Sequence, residues 1–403
     1  MRVALLQWTS GGLSGGSRKY LQEMLPRLSA QKNISGLQAW VPARYVEQME
    51  NYLPGRVHPL PAELSRCGVA APATLRSWPF LKWADVVFLP CMRTLADCPV
   101  PQVVMFRNME PPLGPFWSNP WIETLRNWLR NHAARRACRK ACGIVAVSEY
   151  VRRFLVERWA VDESKITRIY HGVSATPGKA PASPPNFTDQ PFILAAGSIR
   201  PARGLGDLLA ACGRLKRRGL VLPLAVAGAV DRGMDSYFRR LVATAHQWKI
   251  ASSVHWLGNV PSDELAWWMS QCRVFAVTSR AEACPNTVLE AMAAGCRIVS
   301  TTQEPMPEFL GDAADYYTPG DADQLANCIE AILRESAEAR RHKCLLAKKQ
   351  AQRFNWDATA QQTAAFLERV HKRRWCRVGS WSSVPPDSCP TGLSPVKKIP
   401  PAA

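Results

Sequence analysis

The chain has 403 residues, 47% hydrophobic and 21% charged. That composition excludes a low-complexity or fibrous polymer and supplies more apolar material than one core usually holds. The net charge of +19 implies attraction to polyanions or anionic membranes without choosing between them. No apolar run is long enough to read as a membrane-crossing helix, so any membrane contact would lie at the surface.

In chain order, Val3 to Trp8 is a short apolar run, too brief for a signal peptide, and reads as a first strand. Thr9 to Ser17, TSGGLSGGS, is a glycine loop. Tyr20, Leu21, Met24, Leu25 and Leu28 then recur at helical spacing over residues 18–30. Further strand-like runs at Leu37–Val41, Ala84–Leu89, Val103–Phe106 and Gly143–Val147 alternate with helical patterns. This is the sequence form of an α/β protein with a parallel sheet covered on both faces.

Between Trp121 and Cys142, residues Trp121, Ile122, Leu125, Trp128 and Leu129 form one stripe. Arg126, Arg130, Arg135, Arg136, Arg139 and Lys140 crowd the rest. Two readings stand: a basic amphipathic helix lying on an anionic membrane, or a stripe packed on its own sheet with solvated arginines. Near residues 172–191 the run GVSATPGKAPASPPNFTDQP reads as a linker, taken as 173–190. The alternation then resumes with Phe192–Ala196, a helix from about Leu205, Leu222–Ala227, Val254–Leu257, Arg273–Thr278 and Arg297–Thr301. The expected organisation is a first domain over 1–172, the linker, a second domain over 191–356, a helix over 357–372 crossing back to the first domain, and a disordered tail over 373–403. Thirteen cysteines are scattered without a CxxC pair. Cys138 and Cys142 lack a second pair for zinc, so reduced thiols of a cytosolic protein are expected.

The chemistry gathers in loops after strands, where parallel sheets bind ligands. The spacing around Gly11–Gly16 is not that of a dinucleotide loop. FILAAGSIRPAR, residues 192–203, runs a strand into a turn bearing Arg200 and Arg203 and then Gly204. Guanidinium forks there would suit a diphosphate; two solvated loop arginines are the alternative. In AEACPNTVLEAMAAG, residues 281–295, Pro285 tolerates only the first turn of a helix. A helix from Asn286 to Ala294 follows, stopped by Gly295. Glu282 then lies in the loop and Glu290 about one turn into the helix. The helix start at Asn286 and Thr287 offers N–H groups between them. A sugar nucleotide has the same order: sugar hydroxyls, diphosphate, ribose hydroxyls. No DxD-like acidic pair follows a strand, so a metal-independent site without cofactor is expected.

The block from Gly258 to Thr301, with E-x7-E followed by A-M-A-x-G, resembles the donor half of the retaining, GT-B-fold glycosyltransferases of family 4. GGSRKYL, IVAVSEYVRRFL, ITRIYHGV, GSIRPARGL and PEFLGDAADYYTPGD fit in order, so the resemblance covers roughly residues 1–370. It implies two Rossmann-like domains facing across a cleft, a nucleotide-sugar donor and a glycan or lipid-linked acceptor. Glu282 would contact the donor sugar and Glu290 the ribose. Ala283, Cys284, Pro285, Asn286 and Thr287 would hold diphosphate and sugar through their backbone. Arg203 matches the basic phosphate ligand; Gly15, Gly16, Gly197, Ser198 and Gly228 complete the donor set. Ser198 stands where the family usually has a basic residue, with Arg200 expected to compensate. In the loop FRNMEPP, Asn108 stands where many members carry a histidine, which makes it a catalytic candidate beside Glu282 and Arg203. His132 and His171 are other candidates. A sugar-nucleotide epimerase or phosphorylase, a non-catalytic binding member and a nucleic-acid-binding protein are the alternatives. No aromatic-basic RNA motif or zinc finger supports the last. The expected setting is the cytoplasm, peripheral to the inner face of the plasma membrane, in surface polysaccharide or lipopolysaccharide synthesis.

Overall fold

A computed structural model describes residues 1–8, 15–61, 64, 78–96, 98–114, 119–174, 177–182 and 185–373. Most of the glycine loop, 9–14, and all but the first residue of the expected tail lie outside the described residues.

The first domain runs β1 (Arg2–Leu6), α1 (Gly15–Ser29), β2 (Gly36–Val41), α2 (Val46–Glu50), β3 (Val57–Pro59), α3 (Pro79–Trp83), β4 (Val86–Leu89), β5 (Gln102–Phe106), α4 (Glu110–Leu113), α5 (Trp121–Lys140), β6 (Gly143–Ala146), α6 (Glu149–Trp159) and β7 (Ile166–Arg168). The second runs β8 (Ile193–Ala196), α7 (Leu205–Arg217), β9 (Leu224–Ala227), α8 (Asp235–Gln247), β10 (Val254–Gly258), α9 (Ser262–Gln271), β11 (Val274–Val277), α10 (Asn286–Ala294), β12 (Ile298–Thr301), α11 (Met306–Leu310), β13 (Ala314–Tyr317), α12 (Ala322–Arg334), α13 (Ala337–Ala351) and α14 (Trp356–Lys372). The inner strands VVFL, QVVMF and VFAV are buried at every position. Runs of that kind can be satisfied only in a sheet covered on both faces.

The strand orders are β3-β2-β1-β4-β5-β6-β7 and β10-β9-β8-β11-β12-β13, and every pairing is parallel. In each sheet the winding reverses beside its first strand, between β1 and β4 and between β8 and β11. The loops at those carboxyl ends diverge and open a crevice. The short edge strands β3, β7 and β13 carry no separate signal in the sequence pattern; each is only three or four residues long.

The connector packs on the second domain. Phe187 is buried, its ring 4.0 Å from His255 and 5.8 Å from Trp268 between centroids. The Lys179 amide donates to the Asp263 carbonyl at 3.0 Å. A single aromatic anchor inside a proline-rich run pins it to the second domain. Cys142 is disulfide-bonded, against the expectation of reduced thiols.

On α5, of the two readings, the stripe packed on its own sheet fails. Trp121 is 74%, Trp128 56% and Leu129 53% exposed, with Ile122 and Leu125 alongside. Glu123, Asn127, Ala134, Ala137 and Cys138 face inward instead. The helix turns polar side chains in and large apolar ones out.

The two domains are fastened by named contacts. Both oxygens of the Glu308 carboxylate accept from the first amides of α6, Glu149 at 2.6 Å and Tyr150 at 2.9 Å, and the Tyr170 hydroxyl donates to it at 2.7 Å. A second-domain carboxylate thereby caps the positive end of a first-domain helix. The last helix, α14, buries Phe366, Leu367 and Val370 in the first domain's core. A Cβ on Gly143 would stand 2.7 Å from the Phe366 ring, so β6 and α14 touch backbone to side chain. Phe366→Ala should therefore cost about 3–5 kcal/mol, read from the denaturant midpoint. A loss under about 1 kcal/mol would mean that α14 does not complete that core.

Candidate active site

The second-domain half is built where β8 and β11 end. Beside them, a Cβ on Gly228, just after β9, would lie 1.9 Å from the Gly197 carbonyl, so the ends of β8 and β9 meet this closely only with glycine at 228. Gly204 has φ +63°, and a Cβ there would lie 2.2 Å from the Thr278 carbonyl. The turn after β8 is thus pressed onto the end of β11, and the Thr278 hydroxyl donates to the Arg203 carbonyl at 2.6 Å. This fixes Arg203 over Gly197. Its guanidinium donates to Ser279 Oγ at 3.2 Å and pairs with Glu282. Burial, then the neighbouring Arg200 charge, pull the Arg203 pKa below its ordinary value. An anion beside it would oppose both effects. Gly197, Arg203, Thr278, Ser279, Glu282 and Thr287 line one pocket here.

Helix α10 spans the residues that its proline and glycine punctuation indicated, with Pro285 just before it and Gly295 in the left-handed region behind it. Glu282 precedes it. Glu290 lies four residues in, about 6 Å along the axis. Not every expected donor group is free for a donor. The Asn286 amide donates to the Cys284 carbonyl at 3.1 Å. The Asn286 side chain is also committed, its Oδ1 accepting from His171 Nδ1 at 3.0 Å. Ala283 packs in the first domain's core and Cys284 against it. Burial pushes the Cys284 thiol up to about 12. Of this stretch, Thr287 lines the pocket.

The first domain meets this segment directly. A Cβ on Gly16, at the start of α1 just after Gly15, would lie 2.9 Å from Asn286 Nδ2. Lys19 Nζ donates to Glu290 Oε1 at 2.5 Å. Arg107 donates to Ser17 Oγ at 3.0 Å and lies over the Tyr20 ring.

Arg200 sits differently from Arg203. It bonds Glu110 at 2.9 Å, Glu123 at 3.5 Å and Asp231 at 3.1 Å. Glu110 also accepts from Asn127, and Arg130 bonds both Glu123 and Asn127. The arginine expected to compensate for Ser198 is thus held toward α4 and α5 by carboxylates of the first domain. Ser198 is half-buried in the turn after β8. Asn108 is exposed, and its side-chain oxygen accepts from the Glu110 amide at 3.0 Å, a local cap of α4. His132 is exposed on α5 with its ring 4.6 Å from that of Trp128. Sequence reasoning did not single out Lys19, although it lies in the quoted GGSRKYL, because nothing in spacing marks a partner 271 residues away. Glu123 was masked by the arginines around it.

His171 is 2% exposed between the rings of Tyr20 and Trp356. Burial, then the Arg107 charge, lower its pKa to about 3, against a smaller opposing effect of the Asn286 bond. The folded state therefore holds it neutral, whereas the unfolded chain takes a proton near ~6.5. Stability from this site is complete above that value and is lost as pH falls from ~6.5 toward the folded pKa. Between pH 7 and 5 the unfolding free energy should drop more steeply with acid in the wild type than in His171→Gln. Identical slopes would contradict the account.

Two family models match side by side: Glycosyltransferase Family 4 over residues 14–176 and Glycosyl transferases group 1 over residues 179–350. Among curated relatives, an MMP α-(1→4)-mannosyltransferase of Mycolicibacterium hassiacum is 24% identical over 261 residues, 61% of each chain. An O-antigen chain mannosyltransferase B of Escherichia coli is 29% identical over 43% of this chain and 45% of its own. These matches span less than two thirds of those relatives' length. Among solved structures, Anabaena HepE in complex with UDP-glucose superposes with a TM-score of 0.70 at 16% identity, covering 92% of this chain and 100% of that one. A glycosyltransferase from Rickettsia africae gives 0.68 at 16%, covering 92% and 99%. The chain therefore has the two-domain GT-B fold of those structures, and each domain matches one of the two family models.

Proposed function

We propose that the protein transfers a sugar from a nucleotide-diphosphate sugar to a glycan or lipid-linked acceptor, with retention of configuration and without a metal, in the synthesis of a cell-surface polysaccharide. The observation that carries this reading is the pocket at the carboxyl ends of β8 and β11. Arg203, Ser279, Glu282 and Thr287 converge there beside the start of α10, with Glu290 further along the helix. The two acids are spaced for the two ends of one donor. On binding, the Arg203–Glu282 pair parts: the guanidinium takes the diphosphate and the carboxylate takes sugar hydroxyls. Charge grows on the diphosphate as the anomeric C–O bond breaks. Arg203 and the positive end of α10 stabilise it. The acceptor oxygen attacks from the face that the leaving group vacates, and the departing phosphate oxygen takes the hydroxyl proton. Relatives whose names concern O-antigen and colanic acid sugars favour a polysaccharide or lipopolysaccharide setting. The neutral, buried His171 and the helix-capping Asn108 leave proton transfer to the phosphate itself.

The acceptor side fits an anionic membrane surface on the cytoplasmic face. Among the described residues no helix is long and apolar enough to cross a membrane, but α5 presents five large apolar side chains to solvent. Positions 121, 125, 128, 132, 136 and 139 recur at three- and four-residue spacing, so the same face turns basic toward its end at Arg136, Arg139 and Lys140. Apolar side chains would enter the headgroup region while the basic end meets lipid phosphates.

In a thermal-shift panel of UDP-, GDP-, ADP- and CMP-sugars, one donor at about a hundred times its Kd should stabilise the protein by about 2.7 kcal/mol. Glu282→Gln and Arg203→Met should each lower transfer from that donor at least about tenfold; full turnover in both would sink the assignment. In co-sedimentation, the protein should follow phosphatidylglycerol vesicles and release in high salt. Trp121→Ala with Trp128→Ala, or neutral residues at Arg136, Arg139 and Lys140, should abolish that binding. Equal binding to neutral phosphatidylcholine would contradict the surface assigned to α5.

A further inference from the structure

We infer that Lys19 is a positioning residue for the nucleotide end of the donor, delivered by the first domain. The inference rests on the reading of Glu290 as the ribose ligand. Lys19 crosses the cleft to place Nζ 2.5 Å from Glu290 Oε1, with the two side chains only 19% and 22% exposed. Partial burial strengthens such a pair relative to one in open water. The lysine is also held from behind. Its neighbours Tyr20, Leu21, Met24, Leu25 and Leu28 are buried on α1, Ser17 accepts from Arg107, and Gly16 lies against Asn286. The ammonium therefore projects from a fixed backbone.

Two physical effects follow. A carboxylate beside a diphosphate repels it, and Lys19 cancels that charge locally. With Nζ on Oε1, the second oxygen of Glu290 is turned over to the ribose hydroxyls, and the carboxylate keeps one rotamer. The nucleotide is then read by both domains at once: Arg203 and α10 from the second, Lys19 through Glu290 from the first. Donor affinity becomes dependent on cleft closure through one ion pair. This differs from the Arg203–Glu282 pair, whose members share a domain and separate on binding.

The test is calorimetric binding of UDP-glucose and GDP-mannose to the full chain, with kinetics for whichever donor turns over. Lys19→Met should raise the donor Kd and KM about tenfold, with kcat within about threefold. Lys19→Arg should restore affinity. Glu290→Gln should weaken binding by a similar factor, and the double variant should be no weaker than the worse single one. If Glu290→Gln weakens binding while Lys19→Met binds as wild type, Lys19 has no such role and the donor reading stands. If Glu290→Gln also binds as wild type, or neither nucleotide binds the wild type at millimolar concentration, the donor reading itself fails. A Lys19→Met variant that loses thermal stability while keeping its donor Kd marks a merely structural pair. Should Lys19→Met not fold, unchanged donor affinity in Lys19→Ala would overturn the inference equally.

Discussion

Charged groups can be brought together at the carboxyl ends of parallel strands only if each finds a partner there, and this constraint organises the whole cleft. The pocket is half-buried, so an unpaired arginine or glutamate in it would carry a heavy desolvation cost. The structure meets the constraint with pairs: Arg203 with Glu282, Glu290 with Lys19, and Arg200 with Glu110, Glu123 and Asp231. A donor that brings both negative phosphates and neutral hydroxyls can replace the first pair without leaving a charge stranded.

The same logic joins the domains. Glu308 finds the free amides of α6, His171 bonds Asn286 at the head of α10, and α14 lies in the first domain's core. The His171 contact reaches the segment from Glu282 to Glu290 directly, through Asn286. Any opening of the cleft must therefore disturb residues next to Glu282 and Glu290. The inner face of α5 extends this chain of contacts, since Glu123 and Asn127 belong to the cluster that holds Arg200 while Trp121 and Trp128 face outward on the same helix. One helix thus links the outer surface to the turn after β8 that carries Arg200.

Local order was readable from the sequence wherever local chemistry decides it. Pro285 and Gly295 delimit α10 because each has one tolerable helix position, and continuous apolar runs marked the inner strands. The gathering of Gly197, Arg203, Glu282 and Thr287 followed from strand ends sharing a crevice. What the sequence hid was partnership at long range. Arg200 was expected at a diphosphate, and its partners Glu110 and Glu123 lie roughly eighty to ninety positions away, where spacing gives no signal. Asn108 sits in the anticipated loop yet is spent on a helix cap. The stripe on α5 had the right spacing for either burial or exposure, and only the tertiary fold shows that Glu123 and Asn127 take the inner face. Phe187 was lost among prolines and serines for the same reason.

The central claim is that the segment from Glu282 to Glu290 spans one nucleotide sugar. A crystal structure of the full chain with the donor sugar selected by thermal shift tests it most directly. The account predicts diphosphate density against Arg203 and the start of α10, the sugar hydroxyls on Glu282, and the ribose on Glu290 with Lys19 still in contact. A diphosphate seated on Arg200, or a ribose clear of Glu290, would contradict it.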